Sequence, residues 1–313
     1  MSGKNVTEVV LADAAGIAKA ARILESGGLV AVPTETVYGL AARADSADAV
    51  AKIYAAKGRP DFNPLIVHVL NAAQAERYAE FSPAARALAE AYWPGPLTLV
   101  LARRHDAALA PAVTAGLPTV ALRAPAHPAM RALLEAARFP LAAPSANRSG
   151  FISPTCAAHV LASLDGRIDL VLDGGATTAG VESTIVAVRA DGSIEELRPG
   201  PLAIGAPQSG EHIEARIEAR IEAPGQIASH YAPGKPVRLN ATKAEADEFL
   251  IGFGAIMGDC TLSASGNVTE AAARVYACLH EAALAAQPRI AVAPVPEQGV
   301  GRAINDRLRR AAA

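Results

Sequence analysis

Short apolar runs alternate with capped helical patterns from residue 13 to residue 205, and this alternation most constrains how the chain folds. Asp13 and Ser46 each stand directly before a helical pattern, where a short polar side chain caps free amide groups of the first turn. Ser82 precedes another such pattern, with Pro83 at the first helical position. Strands and helices in this order predict an α/β domain, which we expect to contain a twisted mixed sheet.

The individual elements of this domain follow from hydrophobic periodicity and turn residues. Helical spacing predicts helices that start after Asp13, Ser46 and Ser82, and two more over residues 127–138 and 155–164. Apolar runs predict strands over residues 29–32, 64–70, 97–101, 119–122, 141–143, 168–172, 183–188 and 194–197. The last two strands flank Asp191-Gly192, a dipeptide typical of a hairpin turn.

A change in composition predicts a linker after this domain. Residues 206–239 are rich in proline and glycine, and they include a repeat of Ile-Glu-Ala-Arg over residues 213–221. Because Ile and Ala alternate with Glu and Arg, the repeat favours an exposed edge strand. Strand and helix signals resume beyond the linker. We therefore expect a first domain over residues 1–205, a linker over 206–239 and a smaller Rossmann-like α/β domain over 240–313.

Three glycines of the last domain are spaced much like a dinucleotide-binding fingerprint. Gly252, Gly254 and Gly258 follow a predicted strand, but the last glycine comes one residue too late for that motif. Glycine motifs of this kind are weak evidence when they stand alone. We interpret the segment as a turn from strand to loop and not as a cofactor site.

Composition narrows the class of protein. Apolar residues make up 51% of the chain and charged residues 19%, so a sizeable core is expected. A formal net charge of −2 lacks the basic excess of a stable nucleic-acid binder. Cys156, Cys260 and Cys278 form no paired motif, which predicts separate thiols in a reducing cytoplasm. The sequence shows neither a secretion signal nor an apolar run that could span a bilayer, so we expect a cytoplasmic protein away from membranes.

The motif most informative about function is Lys57-Gly58-Arg59-Pro60, which places two cations at the end of a predicted helix. Pro60 stops that helix from continuing, so the cations lie on a stiffened loop beside a buried strand. A lysine point charge next to an arginine fork suits a polyanion such as a triphosphate. Taken alone, the motif also fits a solvated basic turn.

Further polar side chains lie where predicted strands begin or end, the usual place for ligands in an open α/β sheet. Any one of them also fits a turn or a buried core residue, but together they predict a pocket. They are Thr34, Thr36, Asn63, His68, Thr119, Arg123, Ser145, Asn147, Thr155, Ser183 and Arg198. The sequence carries no Walker-type phosphate loop, no Cys/His zinc cluster and no GxSxG motif. We therefore expect any phosphates to be held by side chains and by helix N-termini.

A set of motifs in a fixed order resembles the YrdC family over residues 15–202. The motifs are PTETVYGL, KGRP with NPLIVHV, WPGPLTLVL, TVALRAPAHP, APSANRSG with SPT, DGG, GVESTIV and LRPGP. PGQIASHYAPGKPV and PEQGVGRAINDRLRRAA are similar to the linker and the C-terminal end of the long, two-domain form of that family. The resemblance implies a YrdC-like first domain with a nucleotide cleft.

The resemblance also implies a nucleotidyltransferase activity. It implies that L-threonine, bicarbonate and ATP give threonylcarbamoyl-adenylate and pyrophosphate, with Mg²⁺ carried on the ATP. A separate tRNA transferase complex would then pass the threonylcarbamoyl group to an adenosine next to the anticodon. The partners implied are therefore these small molecules and that downstream complex, without stable binding of nucleic acid.

Matching motifs imply a role for each residue of the predicted pocket. Lys57 and Arg59 are implied to be catalytic. Binding of L-threonine is implied for Thr36, His68, Arg123, Ser145 and Ser183. Binding of ATP is implied for Arg59, Asn63, Thr119, Asn147, Thr155, Arg198 and Tyr231, the last closing over the nucleotide from the linker. Whether Thr34 or Thr36 reaches the amino acid stays open, and no residue is assigned to a metal.

Physical chemistry supports this interpretation and leaves two rivals. Arg123 can grip the carboxylate of threonine with two hydrogen bonds, while fixed cations stabilise charge that builds up on phosphate oxygens. One rival is a carbamoyl-adenylate enzyme of the hydrogenase-maturation type, which has a similar domain together with zinc-finger regions. The other rival is a non-catalytic RNA-binding module, which a basic face would favour.

Overall fold

The computed structural model of the chain describes residues 6–204, 222–223 and 230–313. Its strands are β1 Glu8–Leu11, β2 Val30–Val32, β3 Gly39–Arg43, β4 Ile66–His68, β5 Leu97–Ala102, β6 Thr119–Arg123, β7 Leu141–Ala142, β8 Leu170–Asp173, β9 Thr184–Val188, β10 Ile194–Arg198, β11 Val237–Arg238, β12 Glu248–Gly252, β13 Cys260–Thr261 and β14 Arg289–Val292. Its helices are α1 Ala14–Glu25, α2 Ala47–Lys57, α3 Ala72–Ala75, α4 Pro83–Tyr92, α5 Pro111–Thr114, α6 Pro128–Ala137, α7 Ala157–Leu164, α8 Val268–Leu284 and α9 Gly301–Ala312.

The larger sheet has ten strands in the order β1-β8-β2-β3-β7-β4-β6-β5-β9-β10. Parallel pairs such as β4 with β6 alternate with antiparallel pairs such as β2 with β3, so the sheet is mixed, as predicted. The register of β4 and β6 sets His68 directly opposite Arg123. The predicted hairpin is present as the antiparallel pair β9 and β10.

The smaller sheet has four parallel strands in the order β11-β14-β12-β13, with α8 and α9 from the same part of the chain. The fold class predicted from the sequence, a mixed-sheet α/β domain with a smaller α/β domain, is therefore confirmed. Strand β11 starts at Val237, before residue 240, where we expected the linker to end. The repeat over residues 213–221, predicted to be an edge strand, lies outside the described residues, as does most of the predicted linker.

Helix caps start the helices at the residues that the sequence indicates. The side chain of Asp13 accepts a hydrogen bond from the amide of Gly16 at 2.8 Å, and those of Ser46 and Ser82 cap α2 and α4 in the same way. Helix α2 ends at Gly58, whose φ of +58° lies in the left-handed region that suits glycine. This cap ends the helix between the two cations, so Lys57 lies on its last turn and Arg59 on the loop that follows.

Two strands of the larger sheet, β1 and β3, were not predicted from the sequence, although each contains a short apolar stretch. Strand β1 lies at the edge of the sheet, where three of its four side chains are exposed. Strand β3 is buried in the centre but reads Gly-Leu-Ala-Ala-Arg, a composition that does not favour a strand. Tertiary pairing with β2 and β7 therefore decides its structure.

One apolar cluster joins the two sheets into a single packed unit. Val37, Ile152 and Val181 of the first domain belong to the same cluster as the buried faces of α8 and α9. Tyr231, from the segment between the sheets, is buried in it as well. The small domain therefore packs directly behind Tyr231, which lines the cleft described below.

Among the described residues, no helix combines the length and the apolar character that a membrane span requires.

The expectation of separate thiols is wrong for two of the cysteines. Cys260 on β13 and Cys278 on α8 form a disulfide, with their Cα atoms 5.9 Å apart. The pair closes a loop of the small domain in which β13 and α8 pack together, and a separation of 18 residues does not reveal such packing in the sequence. Cys156 is a free thiol, as predicted.

The glycines of the last domain form a tight turn, as the sequence indicated. A Cβ at Gly258 would lie 2.2 Å from the carbonyl oxygen of Leu250, and one at Gly252 would lie 2.3 Å from that of Ile256. Phe253 pairs with Ile256 across the turn. Close backbone packing therefore explains these glycines without a bound phosphate.

We expect Gly258→Ala to lower the free energy of unfolding of the small domain by about 3 kcal/mol, because the backbone must move to admit the methyl group. Gly192→Ala is the matched control, since a Cβ there meets no atom within 4 Å and only its left-handed φ of +84° adds a cost, of about 1 kcal/mol. Denaturation in urea measures both. Equal losses of stability in the two variants would contradict the tight-turn interpretation.

Candidate active site

A cleft lies at the ends of the central strands of the larger sheet, and the segment that carries His230 and Tyr231 closes one side of it. It is lined by Thr34, Thr36, Val37, Gly39, Arg59, Ile66, His68, Arg123, Ala143, Pro144, Ser145, Glu182, Ser183, Arg198, His230 and Tyr231. The structure thus brings together eight predicted site residues in one cleft: Thr36, Arg59, His68, Arg123, Ser145, Ser183, Arg198 and Tyr231. Five predicted residues lie outside this lining: Lys57, Asn63, Thr119, Asn147 and Thr155.

Arg59 enters the cleft from the loop after α2. Its Nε donates to the carbonyl of Asn63 at 3.3 Å and its Nη2 to that of Pro64 at 3.0 Å, so both bonds hold it against its own loop. Burial lowers the pKa of Arg59 to about 10, which still leaves the guanidinium charged at neutral pH. It is therefore a fixed cation directed at the cleft.

Lys57 has a supporting position behind the cleft. Its Nζ donates to the carbonyl of Ser145 at 2.6 Å and to that of Asn147 at 2.5 Å, which fastens the segment Pro144–Asn147 to helix α2. Burial, and then the charge of Arg59, hold the pKa of Lys57 well below its usual value. The catalytic role implied for Lys57 stays a prediction. In this structure its contacts support the backbone of Ser145 and Asn147.

Asn63 and Asn147 are buried, and each has an amide oxygen that is free to accept a hydrogen bond among the described residues. The amide nitrogen of Asn147 donates to the carbonyls of Arg148 and Phe151 at 2.9 and 2.7 Å. The side-chain oxygens of both asparagines have no hydrogen-bond partner among the described residues. A buried acceptor without a donor costs stability, so each oxygen is suited to accept from a ligand or a water.

Thr34 and Thr36 both line the cleft, but their hydroxyl groups differ in their contacts. The hydroxyl of Thr34 donates to the carbonyl of Val37 at 2.7 Å and thereby shapes its own loop. That of Thr36 accepts from Nη1 of Arg123 at 2.9 Å and lies 2.8 Å from the hydroxyl of Thr34. Thr36 is thus joined to the guanidinium predicted to hold the amino acid.

Glu35 is the charged partner of Arg123, and the sequence did not assign it a role. Its carboxylate accepts from Nη2 of Arg123 at 2.6 Å and from the backbone amides of Ala126 and His127. Burial would raise the pKa of Glu35, but the charge and hydrogen bond of Arg123 outweigh burial and hold it below the usual value. The sequence signal that could have indicated Glu35 was its position inside the motif PTETVYGL, which directly follows a strand.

His68 faces Arg123 across β4 and β6 as a neutral side chain. Its Nδ1 lies 3.3 Å from the carbonyl of Ile66, and because a carbonyl only accepts, Nδ1 carries the proton and Nε2 is an acceptor. Burial, and then the positive charge of Arg123, lower the pKa of His68 to about 3. The cleft therefore combines a fixed cation and a neutral base on adjacent strands.

Ser183 and Arg198 form the wall contributed by β9 and β10. Arg198 donates through Nε and Nη2 to the carbonyl of Ser183, at 3.2 and 3.0 Å, and through Nη2 to its hydroxyl at 3.1 Å. The same hydroxyl lies 2.8 Å from that of Thr98. Burial lowers the pKa of Arg198. This wall adds a third buried guanidinium to the cleft, after those of Arg59 and Arg123.

Thr119 and Thr155 are two of the predicted residues that lie outside the cleft lining. Thr119 begins β6 and pairs with Ala102 on β5. The hydroxyl of Thr155 lies 3.2 Å from Nδ1 of His159, one turn further along at α7. Their predicted contacts with ATP stay predictions.

Glu182 is a second carboxylate that the sequence analysis did not assign. It lines the cleft and accepts hydrogen bonds from Ser153 at 2.6 Å, from Tyr276 at 2.9 Å and from Nε of Arg307 at 2.8 Å. Burial would raise the pKa of Glu182, but the charges of Arg307 and Arg198 and these hydrogen bonds lower it to about 2. Its partners on α8 and α9 lie about a hundred residues further along the chain, which explains why local motifs did not indicate them.

His230 and Tyr231 close the remaining side of the cleft. The ring of Tyr231 lies 4.1 Å from that of His230 and 5.6 Å from that of Tyr276, and the guanidinium of Arg307 lies 5.6 Å from its centre. Tyr231 has a φ of +66°, an uncommon value for a residue with a Cβ. Such a conformation is found where surrounding packing over-determines it.

The charges of this cleft suit a polyanion. Arg59, Arg123 and Arg198 line it, while Glu182 is a lining carboxylate that is already paired. Within the described ranges, no group of three or more His, Cys, Asp or Glu side chains could hold a metal ion.

Comparison with known proteins matches both parts of the chain. Residues 22–200 match a family model of Sua5, YciO and YrdC proteins described as telomere recombination, and residues 193–313 match one described as threonylcarbamoyl-AMP synthase, C-terminal domain. Threonylcarbamoyl-AMP synthase of Bacillus subtilis is 45% identical over 79% of this chain and 73% of its own length. The enzyme of that name from Pyrococcus abyssi is 38% identical over 93% of this chain and 92% of its own. The crystal structure of Pyrococcus abyssi Sua5 complexed with L-threonine matches with a TM-score of 0.85 and 35% identity, covering 98% of this chain and 97% of that chain.

Two buried histidines, His68 and His230, and the half-buried His280 predict how stability depends on pH. Burial lowers the pKa of His68 and of His230 to about 3 and that of His280 to about 4. An unfolded chain takes up these protons near pH 6.5, whereas the folded chain does not until about pH 3 to 4. Below pH 6.5 the unfolded state therefore binds more protons, and the free energy of unfolding falls by about 1.4 kcal/mol per pH unit for each histidine.

We expect urea denaturation at pH 7.5, 6.5, 5.5 and 4.5 to show this loss of stability. His280→Gln should flatten the dependence on pH by about one histidine's share, since it removes one of the three protons. His105→Gln, at an exposed side chain, is the control. A slope unchanged by His280→Gln would contradict the assignment of a half-buried neutral imidazole.

Proposed function

Because this chain belongs to the family of Sua5 and YrdC proteins, we propose that it makes threonylcarbamoyl-AMP and pyrophosphate from L-threonine, bicarbonate and ATP. The observation that carries this proposal is a single cleft in which Arg59, Arg123 and Arg198 are buried beside neutral hydroxyl and imidazole groups. Such a cleft suits an amino acid and a nucleoside triphosphate bound side by side.

L-threonine occupies the part of the cleft between Arg123 and His68 in this proposal. Arg123 keeps its fork beside Thr36 and Glu35, and it binds the carboxylate of the amino acid. Nε2 of His68 is an acceptor, so it suits a hydroxyl or amine proton of the substrate. Ser145 and Ser183 line the same region and supply further hydrogen bonds.

ATP occupies the part of the cleft next to Arg59 and Arg198. These guanidinium groups bind phosphate oxygens, which replaces the glycine-rich cradle that this chain lacks. Asn63 and Asn147 offer buried acceptors for donors of the nucleotide, and Tyr231 covers it from the linker side. Thr119 and Thr155 belong to this proposed ATP set on motif resemblance alone.

The reaction has two bond-forming steps in this proposal. The neutral amine of threonine takes up the carbon of bicarbonate as a carbamate, with loss of water. An oxygen of the carbamate then attacks the α-phosphorus of ATP, and the bond from that phosphorus to pyrophosphate breaks. Negative charge builds on phosphate oxygens, which the fixed charge of Arg59 stabilises without having to reorganise.

Magnesium is proposed to enter on the triphosphate, where it neutralises charge on the leaving pyrophosphate. The carbamate and the adenylate are both readily hydrolysed, so a cleft closed by His230 and Tyr231 would protect them. We further propose that a cytoplasmic transferase complex takes the product and modifies the adenosine beside the anticodon of tRNA. Under this proposal the chain itself binds no nucleic acid stably.

The test is an assay of the purified chain with ATP, bicarbonate, L-threonine and Mg²⁺. We expect pyrophosphate release that depends on threonine and stops when EDTA is added. Release without threonine would instead favour the carbamoyl-adenylate chemistry of the hydrogenase-maturation type. No release, with binding of RNA, would favour an RNA-binding module and refute the synthase.

Arg59→Met should lower threonine-dependent pyrophosphate release by about 10²–10³-fold, because a preorganised charge next to the phosphates is lost. Lys57→Met should lower it as well, since the carbonyls of Ser145 and Asn147 lose their donor and the loop is released. Lys52→Met on the exposed face of the same helix is the matched control. If Arg59→Met keeps an activity near that of the unmodified chain, the proposed role of Arg59 at the phosphates of ATP is wrong.

A further inference from the structure

A buried group of hydrogen bonds links the small domain to the wall of the cleft. Arg307 on α9 is fully buried and donates to the carboxylate of Glu182, which lines the cleft. Tyr276 on α8 donates to the same carboxylate. Ser153, from the first domain, completes the set. Two helices of the small domain therefore determine where a cleft residue sits.

Arg307 also contacts Tyr231, which forms the wall of the cleft that the linker supplies. Its guanidinium lies 5.6 Å from the centre of the Tyr231 ring, within the range of a cation–π interaction. Its Nη1 pairs with Asp306 at 2.7 Å, while Nη2 has no hydrogen-bond partner among the described residues. Arg307 does not line the cleft, yet it touches two residues that do. No other described side chain of α9 is joined to Glu182 by an ion pair.

We propose that Arg307 is a positioning residue for the cleft: it holds the carboxylate of Glu182 in place and charged, and it supports the Tyr231 ring. The C-terminal domain then takes part in catalysis through Arg307, which Tyr276 assists at the same carboxylate, although the domain supplies no group that touches substrate. This inference rests on the proposed synthase function and extends it to a domain whose role the sequence left open.

Glu182 has charged and titratable neighbours on every side, and only some of them favour its ionised form. Arg307 on α9 and Arg198 on β10 lower its pKa, and Tyr276 on α8 donates hydrogen bonds. Asp306, Tyr231 and His230 are the remaining titratable groups around this centre. Arg307 is the largest of the influences that offset burial, so we expect the pKa of Glu182 to rise when Arg307 is removed, although Arg198 and the hydrogen bonds from Ser153 and Tyr276 remain.

The experiment measures the ratio of kcat/KM, variant to unmodified full-length chain, from pH 6 to pH 9. For Arg307→Met we expect a ratio of 0.1 or less at pH 6 that rises with pH, because a neutral Glu182 loses its proton along this range. These are order-of-magnitude values for a carboxylate with a strongly raised pKa. The double variant Glu182→Gln/Arg307→Met should stay low and lose the dependence on pH, since no carboxylate remains to titrate.

Two further variants make the result specific to Arg307. Arg307→Lys keeps the charge without the fork, and we expect it to flatten the pH dependence and recover part of the activity. If Arg307→Met does not fold, the same comparison of pH dependence is made between Arg307→Lys, which keeps the charge, and Arg307→Gln, which does not. Arg309→Met on the same helix removes an exposed ion pair with Glu297 and should match the unmodified chain. A ratio near one for Arg307→Met, or a loss equal at every pH, would overturn the inference.

Failure of the synthase proposal is distinguishable in the same experiment. The unmodified chain would then release no threonine-dependent pyrophosphate at any pH. In that case calorimetric titration with ATP, for the same variants and pH values, still tests whether Arg307 positions the cleft. A rising affinity ratio in Arg307→Met that disappears in the double variant supports the inference, and a flat ratio refutes it.

Discussion

A carboxylate enclosed between two domains is the interaction on which the rest of the site depends. Glu182 belongs to the strand-end segment of the larger sheet, but its charge is balanced by Arg307 of the small domain. Because a buried ion left without its partner is strongly destabilising, the two domains are held in one arrangement. That arrangement brings Tyr231 against the cleft and packs Val37 and Val181 into the core of α8 and α9.

The cleft assembles its positive charge from separate strand ends and not from one loop. A glycine-rich phosphate loop uses backbone amides of consecutive residues, and such a loop is recognisable in a sequence. Here Arg59, Arg123 and Arg198 come from three distant parts of the chain, and each is fastened by its own bonds to carbonyl or carboxylate oxygens. Lys57 adds rigidity from behind by binding two carbonyls of the opposite loop.

Much of the fold could be predicted because capping residues and apolar runs are local signals. Asp13, Ser46 and Ser82 cap helices as predicted, and the mixed sheet follows from the alternation of elements. Eight of the residues that the motif resemblance named lie in one cleft, although their roles remain predictions. Edge strand β1, the partners of Glu35 and Glu182, and the Cys260–Cys278 disulfide depend on contacts distant in sequence, which local patterns do not carry.

The pairing of His68 with Arg123 has a consequence for how substrate choice changes in such proteins. Their strands are joined by backbone bonds, and a slip of one residue turns every side chain to the opposite face. The backbone spacing of His68 and Arg123 is therefore set by the sheet and does not change gradually. Under the proposed function, a preference for another amino acid would have to come from neighbouring side chains or from the loop that carries Thr34 and Thr36.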